Sequence, residues 1–470
     1  MEQANLFLVP VDNKREWYRY HRLFGDLLRY RLREQVGAEG VRRLHRRAAA
    51  WYGRTGLVEE AIHHSLAAED FPRATDLIAS ICADLVAQSQ SHQLLGLVAA
   101  LPEDLVRTRP HLCVYHAWAL GLTGQVDAVA SRLTDAERAL STAPPTLARE
   151  IRGQIATLRA YDARRQHDLA TAIGLLRQAL HYLPDSSLRA RSAANANLGV
   201  NHLMLGNLVV AREALRVAQT EAHASGNMWI AVGATSYLAD TYAVEGRLAQ
   251  ATRLYQEAIA QGLDFTGEHS FPPAGHAYAG LGRVLYEQGE VDEARRNLKQ
   301  AIDLGEMIGF WNTVLRALVP LVWLEHVQGN TALSWTLLQR ALNLAERTSE
   351  AWMTVRWEAH LAALQACLSL AQDPPELAAA TRWAEAYHKG EPDVTSYEEE
   401  FAQLTLARVE LAQGHPDRAV ARLEVLAEAA GEGGRNDSLI RIFVVQALAQ
   451  AAQDAGDRAA DALNRALDLA

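Results

Sequence analysis

Histidine and cysteine are among the residue types in this chain that could hold a metal ion or attack a substrate. His63 and His64 form the one adjacent histidine pair in the sequence. Neighbours on a helix point about 100° apart, so these two rings are poorly placed to share one metal ion. The remaining histidines form no H-E-x-x-H pattern. The pattern favours helix packing or solvent exposure, and it predicts no metal site.

The three cysteines, Cys82, Cys113 and Cys367, are far apart and form no C-x-x-C pair. Cys113 has His111 and His116 nearby, but these offsets do not suggest a base aimed at the sulfur. No nucleophile-elbow sequence and no G-x-x-x-x-G-K-[ST] phosphate loop occurs. The sequence therefore predicts buried structural thiols in a reducing, cytoplasmic setting, with no catalytic residue and no cofactor.

The charge is unevenly distributed along the chain. The whole sequence carries a net charge of −10, although residues 1–54 are basic. An arginine run in that segment could suggest DNA contact: Arg29, Arg31, Arg33, Arg42, Arg43, Arg46 and Arg47. A solvated helix face is the favoured interpretation, because the nearby aromatic residues follow helix-core spacing. An acidic body argues against direct nucleic-acid binding, and no apolar run is long enough to cross a membrane.

A recurring turn explains how the rest of the chain is organised. Glycines that follow one helix and precede the next are mostly 40 to 43 residues apart: Gly124, Gly206, Gly246, Gly289, Gly329, Gly414 and Gly456. Two longer intervals leave room for further turns near His167 and near Asp373-Pro374-Pro375. A constant spacing of this kind predicts a solenoid of about eight helical pairs.

Small residues after each turn predict close packing of the two helices. Ala211, Ala251, Ala294 and Ala419 occupy this position. Large residues such as Leu215, Tyr255 and Leu298 are expected to fill the gap to the next pair. These residues resemble the tetratricopeptide family: Gly199 and Gly282 match its first-helix glycine, and Tyr242 matches its first-helix aromatic. The longer period is similar to that of MalT-type regulators of the LuxR family.

The N-terminal segment strengthens this resemblance. Residues 5–34 are predicted to form a strand, a polar turn, a second strand and a helix. This order is similar to the last part of the winged-helix module in MalT-type regulators. The predicted fold class is therefore an all-α, tetratricopeptide-like superhelix with a small winged-helix remnant. The expected domains are residues 1–50 (winged-helix remnant), 51–108 (helical connector) and 109–470 (repeats).

The resemblance also implies a function. In that family an ATP-binding module precedes this region and a helix-turn-helix DNA-binding domain follows the repeats. Neither motif occurs here, so we expect a fragment, a split gene product or a truncated relative. The implied role is a non-catalytic sensor whose partner is a small-molecule inducer or a regulatory protein. The alternative is a stand-alone adaptor that binds a peptide or a partner protein.

The inner wall of the superhelix is the expected binding surface. By analogy with the family, first-helix positions counted from the turn glycine face inward. The candidates are Ser236, Asp240, His276, Arg283, Tyr286, Glu287, Arg316, Trp323, His326, Phe401 and Arg408. Aromatic rings beside charged groups suit a small polar ligand or a peptide, and ordinary packing with solvated charges is the alternative. The irregular segment 262–275 is either a gate over this wall or an idle surface loop.

Overall fold

A computed structural model describes residues 8–10, 18–88, 90–266, 271–348, 357–388, 397 and 399–470. The chain divides into two compact units. Unit 1 comprises Met1–Leu120 and Ala130–Ser141, and unit 2 comprises Gly121–Val129 and Thr142–Ala470. Within the described residues, no helix is both long enough and apolar enough to cross a membrane.

Unit 1 opens with the predicted hairpin. Strand β1 (Leu8–Pro10) pairs antiparallel with β2 (Tyr18–Tyr20). Helix α1 (Arg22–Arg54) follows and bends at Gly37, whose φ is +66°. The next helices are α2 (Val58–Ala67), α3 (Phe71–Ala87), α4 (Ser91–Ala99), α5 (Glu103–Arg107), α6 (Pro110–Leu122) and α7 (Val126–Ala139).

Unit 2 consists of antiparallel helical pairs, eight of them within its described residues from Pro145 onward. The first helix of each pair is α8 (Pro145–Arg165), α10 (Leu188–Met204), α12 (Met228–Val244), α14 (Gly275–Glu287), α16 (Trp311–Val327), α18 (Glu358–Leu370), α20 (Glu400–Ala412) or α22 (Asn436–Ala451). The second helix is α9 (Leu169–Tyr182), α11 (Leu208–Ala224), α13 (Leu248–Thr266), α15 (Val291–Ile308), α17 (Thr331–Thr348), α19 (Leu377–His388), α21 (Pro416–Glu432) or α23 (Gly456–Leu469). The predicted all-α solenoid is confirmed.

The turns between paired helices depend on a left-handed residue. Gly206 and Gly246 have φ of +79° and +82°, a conformation in which a side chain is strained. His167 takes the same role at +60° without being glycine. The prediction for the last pair was wrong by two residues: Asp454, at +56°, makes the turn, and Gly456 already begins α23. Aspartate and histidine tolerate this region better than most residues, so they can replace glycine there.

Close contact between paired helices explains the small residues. Ala251 and Ala294 are fully buried, as the pattern predicts. A Cβ atom on Gly282 would lie 2.7 Å from Cγ of Leu298, and one on Gly199 would lie 2.5 Å from Cγ of Leu215. These distances are too short for real atoms. Gly282 and Gly199 therefore each make room for a leucine of the second helix in the same pair.

The segment 262–275 is less irregular than its sequence predicts. Helix α13 continues to Thr266, so Gly262 is helical. Residues 267–270 lie outside the described residues. Pro272–Ala274 forms a single 3-10 turn, and α14 begins at Gly275. The gate over the inner wall stays a prediction.

Candidate ligand-binding wall of the repeats

First helices that are not neighbours along the array meet through their side chains. Arg316 of α16 contacts Asp240 of α12, two pairs away. Arg283 of α14 contacts Asp437 of α22. In a curved solenoid, distant first helices approach one another on the concave side. We call the surface formed by these side chains the inner wall.

Asp240 is the centre of a buried polar cluster, hereafter the Asp240 cluster (Asp240, Tyr255, His276 and Arg316). Its Oδ2 lies 2.8 Å from Nε2 of His276. Its Oδ1 accepts hydrogen bonds from the Tyr255 hydroxyl and from Nη2 of Arg316. The side chains of Asp240 and His276 are only 4% and 6% exposed, whereas Arg316 is 26% exposed. Three successive pairs are thus joined by one carboxylate.

Neighbouring charges fix the protonation of this cluster. Burial acts to raise the pKa of Asp240, but the charge of Arg316 and the bonds from His276 and Tyr255 lower it to about 2. Burial, followed by the charge of Arg316, lowers the pKa of His276. Burial and the carboxylate of Asp240 raise the pKa of Tyr255. At neutral pH, Asp240 is therefore an anion that accepts a hydrogen bond from a neutral His276, and Tyr255 stays protonated.

Tyr255 reaches Asp240 through a gap in the first-helix layer. Tyr255 belongs to α13, a second helix, and it is fully buried. A Cβ atom on Gly280 would lie 2.3 Å from Cζ of the Tyr255 ring. Gly280 of α14 therefore keeps open the space through which the ring passes.

An aromatic and basic surface adjoins the Asp240 cluster. The Tyr237 ring is half-buried and lies 4.2 Å from the His276 ring, centroid to centroid. Burial raises the pKa of Tyr237, against the positive charges of Arg164 and Arg316. Arg164 of α8 lies over the Tyr161 ring at 4.9 Å, and its Nη1 donates to Oδ1 of Asn197 at 3.1 Å. Helices α8, α12 and α16 thus bring two guanidinium groups towards one tyrosine.

A second cluster joins α14 to α22, hereafter the α14–α22 ion pairs (Arg283, Glu287, Asp437 and Arg441). Nη1 of Arg283 lies 3.5 Å from Oδ2 of Asp437. Nη2 of Arg441 lies 2.6 Å from Oε1 of Glu287 and 3.3 Å from Oδ1 of Asp437. Burial acts to lower the pKa of Arg283 and Arg441, but their acidic partners raise it overall. These pairs connect residues 154 positions apart in sequence.

The other predicted residues occupy separate places. Ser236 is fully buried and donates to the Val232 carbonyl of its own helix. The rings of Trp323 and His326 lie 6.0 Å apart on α16. Tyr286 is half-buried near the end of α14.

On α20, Phe401 stacks on His360 of α18 at 4.4 Å. Arg408, about two helical turns further along α20, donates from Nη1 to Sγ of Cys367 at 3.4 Å. Burial, followed by the positive charge of Arg441, lowers the pKa of His360 to about 4. The His360 ring therefore lies within electrostatic reach of the α14–α22 ion pairs.

Sequence reasoning missed Tyr161, Arg164, Tyr237 and Arg441. Tyr161 and Arg164 precede His167 by the same offsets at which Asp240 precedes Gly246 and Tyr286 precedes Gly289. Arg441 precedes Asp454 as His276 precedes Gly289. The positions of Tyr161, Arg164 and Arg441 were overlooked because inward-facing positions were counted from glycine turns alone. Tyr237 lies nine residues before Gly246, an offset that was not counted as inward-facing.

The reactive candidates of unit 1 are explained by packing. Nδ1 of His64 lies 2.7 Å from Nδ1 of His45, and its ring stacks on Tyr52. The Cys113 thiol is buried and donates to the Val106 carbonyl at 3.2 Å. Burial raises its pKa to about 12, which makes it a poor nucleophile.

Part of the arginine run is neutralised within unit 1. Glu39 accepts from Nε of Arg42 at 2.9 Å and from Nη1 of Arg46 at 3.2 Å. Arg42 also approaches Glu69 of the α2–α3 turn. Arg29, the first arginine of the run, pairs with Asp26 at 2.7 Å, and both side chains are exposed. Exposed i, i+3 pairs of this kind are typical of a solvated helix surface.

Two protein-family models match the chain. The model described as "MalT-like TPR region" matches residues 153–470, which is more than half of the chain. The chain belongs to the MalT-like TPR family. A second model, "MalT winged helix domain", matches residues 1–40 of this MalT-like chain. The resemblance to MalT-type regulators is therefore confirmed at both ends.

Curated relatives match shorter stretches of the MalT-like chain. The HTH-type transcriptional regulator MalT of Klebsiella pneumoniae is 32% identical over 196 residues, 42% of this chain and 21% of the relative. The serine/threonine-protein kinase PknK of Mycobacterium tuberculosis is 37% identical over 161 residues, 34% of this chain and 14% of the relative. The matched stretches thus span about a fifth or less of these two relatives.

A solved structure shares the fold. The crystal structure of a Rap protein complexed with competence and sporulation factor has a TM-score of 0.52. The similarity covers 85% of this MalT-like chain and 98% of the other, at 12% sequence identity. At this identity the likeness shows a common helical-repeat fold.

Proposed function

We propose that unit 2 is the non-catalytic sensor and protein-contact region of a MalT-type regulator of the LuxR family. It binds a small inducer or a regulatory protein on the inner wall. The observation that carries the proposal is the convergence of charged and aromatic side chains from α8, α12, α14, α16 and α22 on one surface. Family membership supports the regulatory role.

The two clusters suggest how binding acts on the fold. A ligand that contacts both the Asp240 cluster and the α14–α22 ion pairs touches helices at both ends of this curved stretch. The ligand therefore stabilises the curvature that it binds more tightly. The size of this effect is set by the difference between its binding free energies for the two curvatures. ATP-binding and DNA-binding modules, located elsewhere in the regulator, respond to that curvature.

The working environment follows from the same role. Three buried free thiols, Cys82, Cys113 and Cys367, suit a reducing cytoplasm. The net charge of −10 disfavours direct contact with nucleic acid by this chain. We therefore assign DNA reading to another part of the regulator.

A thermal-shift screen with fractionated small metabolites tests this function on the whole chain. Specific binding stabilises the folded state by RT ln(1 + L/Kd), where L is the free ligand concentration, so the melting temperature rises with the logarithm of ligand concentration once that concentration exceeds Kd. Tyr237→Ala on the inner wall should abolish the shift. Phe265→Ala, at an exposed aromatic residue of α13, is the matched control and should retain it.

Two outcomes distinguish the proposed inducer sensor from a site elsewhere on the chain and from the adaptor. A shift that survives Tyr237→Ala but disappears with Phe265→Ala moves the site off the inner wall and contradicts the proposal. If only a peptide or a protein stabilises the chain, and Tyr237→Ala abolishes that stabilisation, the chain is an adaptor and not a sensor of a small inducer.

A further inference from the structure

Arg164 and Arg316 both interact electrostatically with Tyr237, and each has an N–H donor for which no protein acceptor is found among the described residues. Arg164 contacts the Tyr161 ring and Oδ1 of Asn197, and among the described residues no carboxylate pairs with it. Nη2 of Arg316 binds Asp240, but its Nε is buried without an acceptor. A buried donor without a partner is costly, so such donors mark either a defect or a binding position.

The local charge around Tyr237 is not balanced. Arg164 and Arg316 contribute two positive charges, and Asp240 contributes one negative charge. His276 adds none, because burial and Arg316 keep its pKa low. One positive charge is therefore left over, within a chain whose net charge is −10. A bound anion would offset it.

Arg164 is also held in place before any ligand arrives. Asn197, which accepts from Nη1 of Arg164, is nearly fully buried. Its Nδ2 donates to the Tyr161 hydroxyl at 2.5 Å and to the Ala193 carbonyl at 2.8 Å. A stacked guanidinium fixed at one nitrogen has its remaining N–H groups preoriented for a carboxylate or phosphate.

We propose that the inner wall beside Tyr237 binds a small organic anion, a carboxylate or a phosphate ester, between Arg164 and Arg316. This inference rests on the proposed function and names the chemical class of the inducer. The free donors of Arg164 and Nε of Arg316 bind the anionic oxygens. The Tyr237 hydroxyl donates a further hydrogen bond, and its ring covers one side of the ligand.

Inorganic phosphate, and glucose 6-phosphate against glucose, are the probes on the whole chain. Each is titrated by calorimetry and thermal shift, with chloride adjusted to equal ionic strength. We expect both phosphates to raise the melting temperature and glucose to leave it unchanged. Arg164→Gln should weaken phosphate binding roughly tenfold or more, and Arg164→Lys should weaken it less, because the charge remains.

Arg253→Gln is the matched control for loss of one positive charge. Arg253 is exposed on α13 and contacts only the Ala249 carbonyl among the described residues. Its substitution should leave phosphate binding unchanged. Without phosphate, Arg164→Gln should melt within a degree or two of the parent, because removal of an unbalanced charge offsets the lost contacts with Tyr161 and Asn197. A purely structural Arg164 predicts a clear drop.

Several results would overturn the assignment. Equal effects of phosphate and chloride, or equal binding by the parent and Arg164→Gln, remove the anion site. Glucose binding that depends on Tyr237 but not on Arg164 also overturns it and leaves the proposed function standing. If Tyr237→Ala affects no metabolite, peptide or protein partner, the proposed function itself fails.

Discussion

The Asp240 cluster and the α14–α22 ion pairs both join first helices, but in different surroundings. In the cluster, Asp240 is 4% exposed and receives three hydrogen bonds from three elements. In the ion pairs, Glu287 and Arg441 are 34% and 38% exposed. The Asp240 cluster is buried between successive helical pairs, whereas the α14–α22 ion pairs join distant helical pairs at the protein surface.

This difference in exposure predicts which of the two contacts is rigid and which can open. Removing one partner of a buried ion pair leaves an uncompensated charge, which costs about 3–5 kcal/mol. An exposed ion pair contributes about 0.2–1 kcal/mol. The Asp240 cluster therefore fixes the spacing of α12, α14 and α16, while the α14–α22 ion pairs open within the energy that one ligand provides.

The largest expected effect is that of Asp240→Ala. It leaves Arg316 without its carboxylate and removes the acceptor of Tyr255 and His276. We expect the free energy of unfolding to fall by about 3 kcal/mol, measured by urea denaturation. Glu293→Ala removes an exposed partner of Arg296 and should cost less than about 0.5 kcal/mol. Equal losses would contradict the contrast between the two environments.

Acid should destabilise unit 2 through its buried histidines. Unfolded histidine has a pKa of about 6.5, whereas that of folded His360 is about 4, so the unfolded chain binds more protons between these values. The contribution of His360 to the free energy of unfolding is fully present above pH 6.5 and is lost as the pH drops towards 4. The loss from His360 should be about 2 kcal/mol or less at pH 5, allowing for its partial exposure.

Melting curves between pH 7 and pH 5 measure this effect. His360→Gln should flatten the dependence beside the ion pairs, and His276→Gln should flatten it in the Asp240 cluster. An unchanged slope in both variants would show that these rings do not carry the pH dependence.

Gly280→Ala should close the gap used by Tyr255. The added methyl group meets the Tyr255 ring and forces its hydroxyl away from Asp240. We expect a loss of about 1–2 kcal/mol in unfolding free energy, typical of overpacking. Gly233→Ala is the control in α12, where the new Cβ meets nothing within 4 Å, and it should gain about 0.5–1 kcal/mol. A similar gain at Gly280 would mean that the ring does not need the gap.

The smallest effect on stability is expected for Arg441→Gln. Loss of these exposed pairs should change the unfolding free energy by less than about 1 kcal/mol. Local opening should nevertheless increase, visible as faster amide hydrogen exchange in the second turn of α22 but not in α12. A double-mutant cycle with Glu287→Gln isolates the pair. Uniform exchange in both helices would show that the ion pairs do not control opening.

The sequence was sufficient for the fold because the repeat is enforced locally. Each glycine turn needs a left-handed residue, and each helix contact needs a small residue at a fixed offset. Both requirements leave a periodic trace, as at Gly246 and Ala251. The last turn was harder to predict, because the left-handed position also accepts residues other than glycine, as His167 and Asp454 show.

The candidate site was predictable in part for the same reason. Asp240, His276 and Arg316 occupy first-helix positions counted from glycine turns, and the structure brings them together. Arg164 and Arg441 were missed because their turns lack glycine. Tyr255 was assigned to packing between pairs, since periodicity places it on a second helix. Nothing in that period reveals that its hydroxyl passes Gly280 and reaches the inner wall.

The path of Tyr255 links the two layers of the solenoid. Its backbone belongs to the outer layer, while its hydroxyl is bonded to the carboxylate that organises the inner one. Any molecule that draws Arg316 away from Asp240 changes the acceptor that holds this ring. Under the proposed function, ligand binding on the inner wall would therefore act on α13 in the outer layer. The effect would run across the thickness of the array as well as along its length.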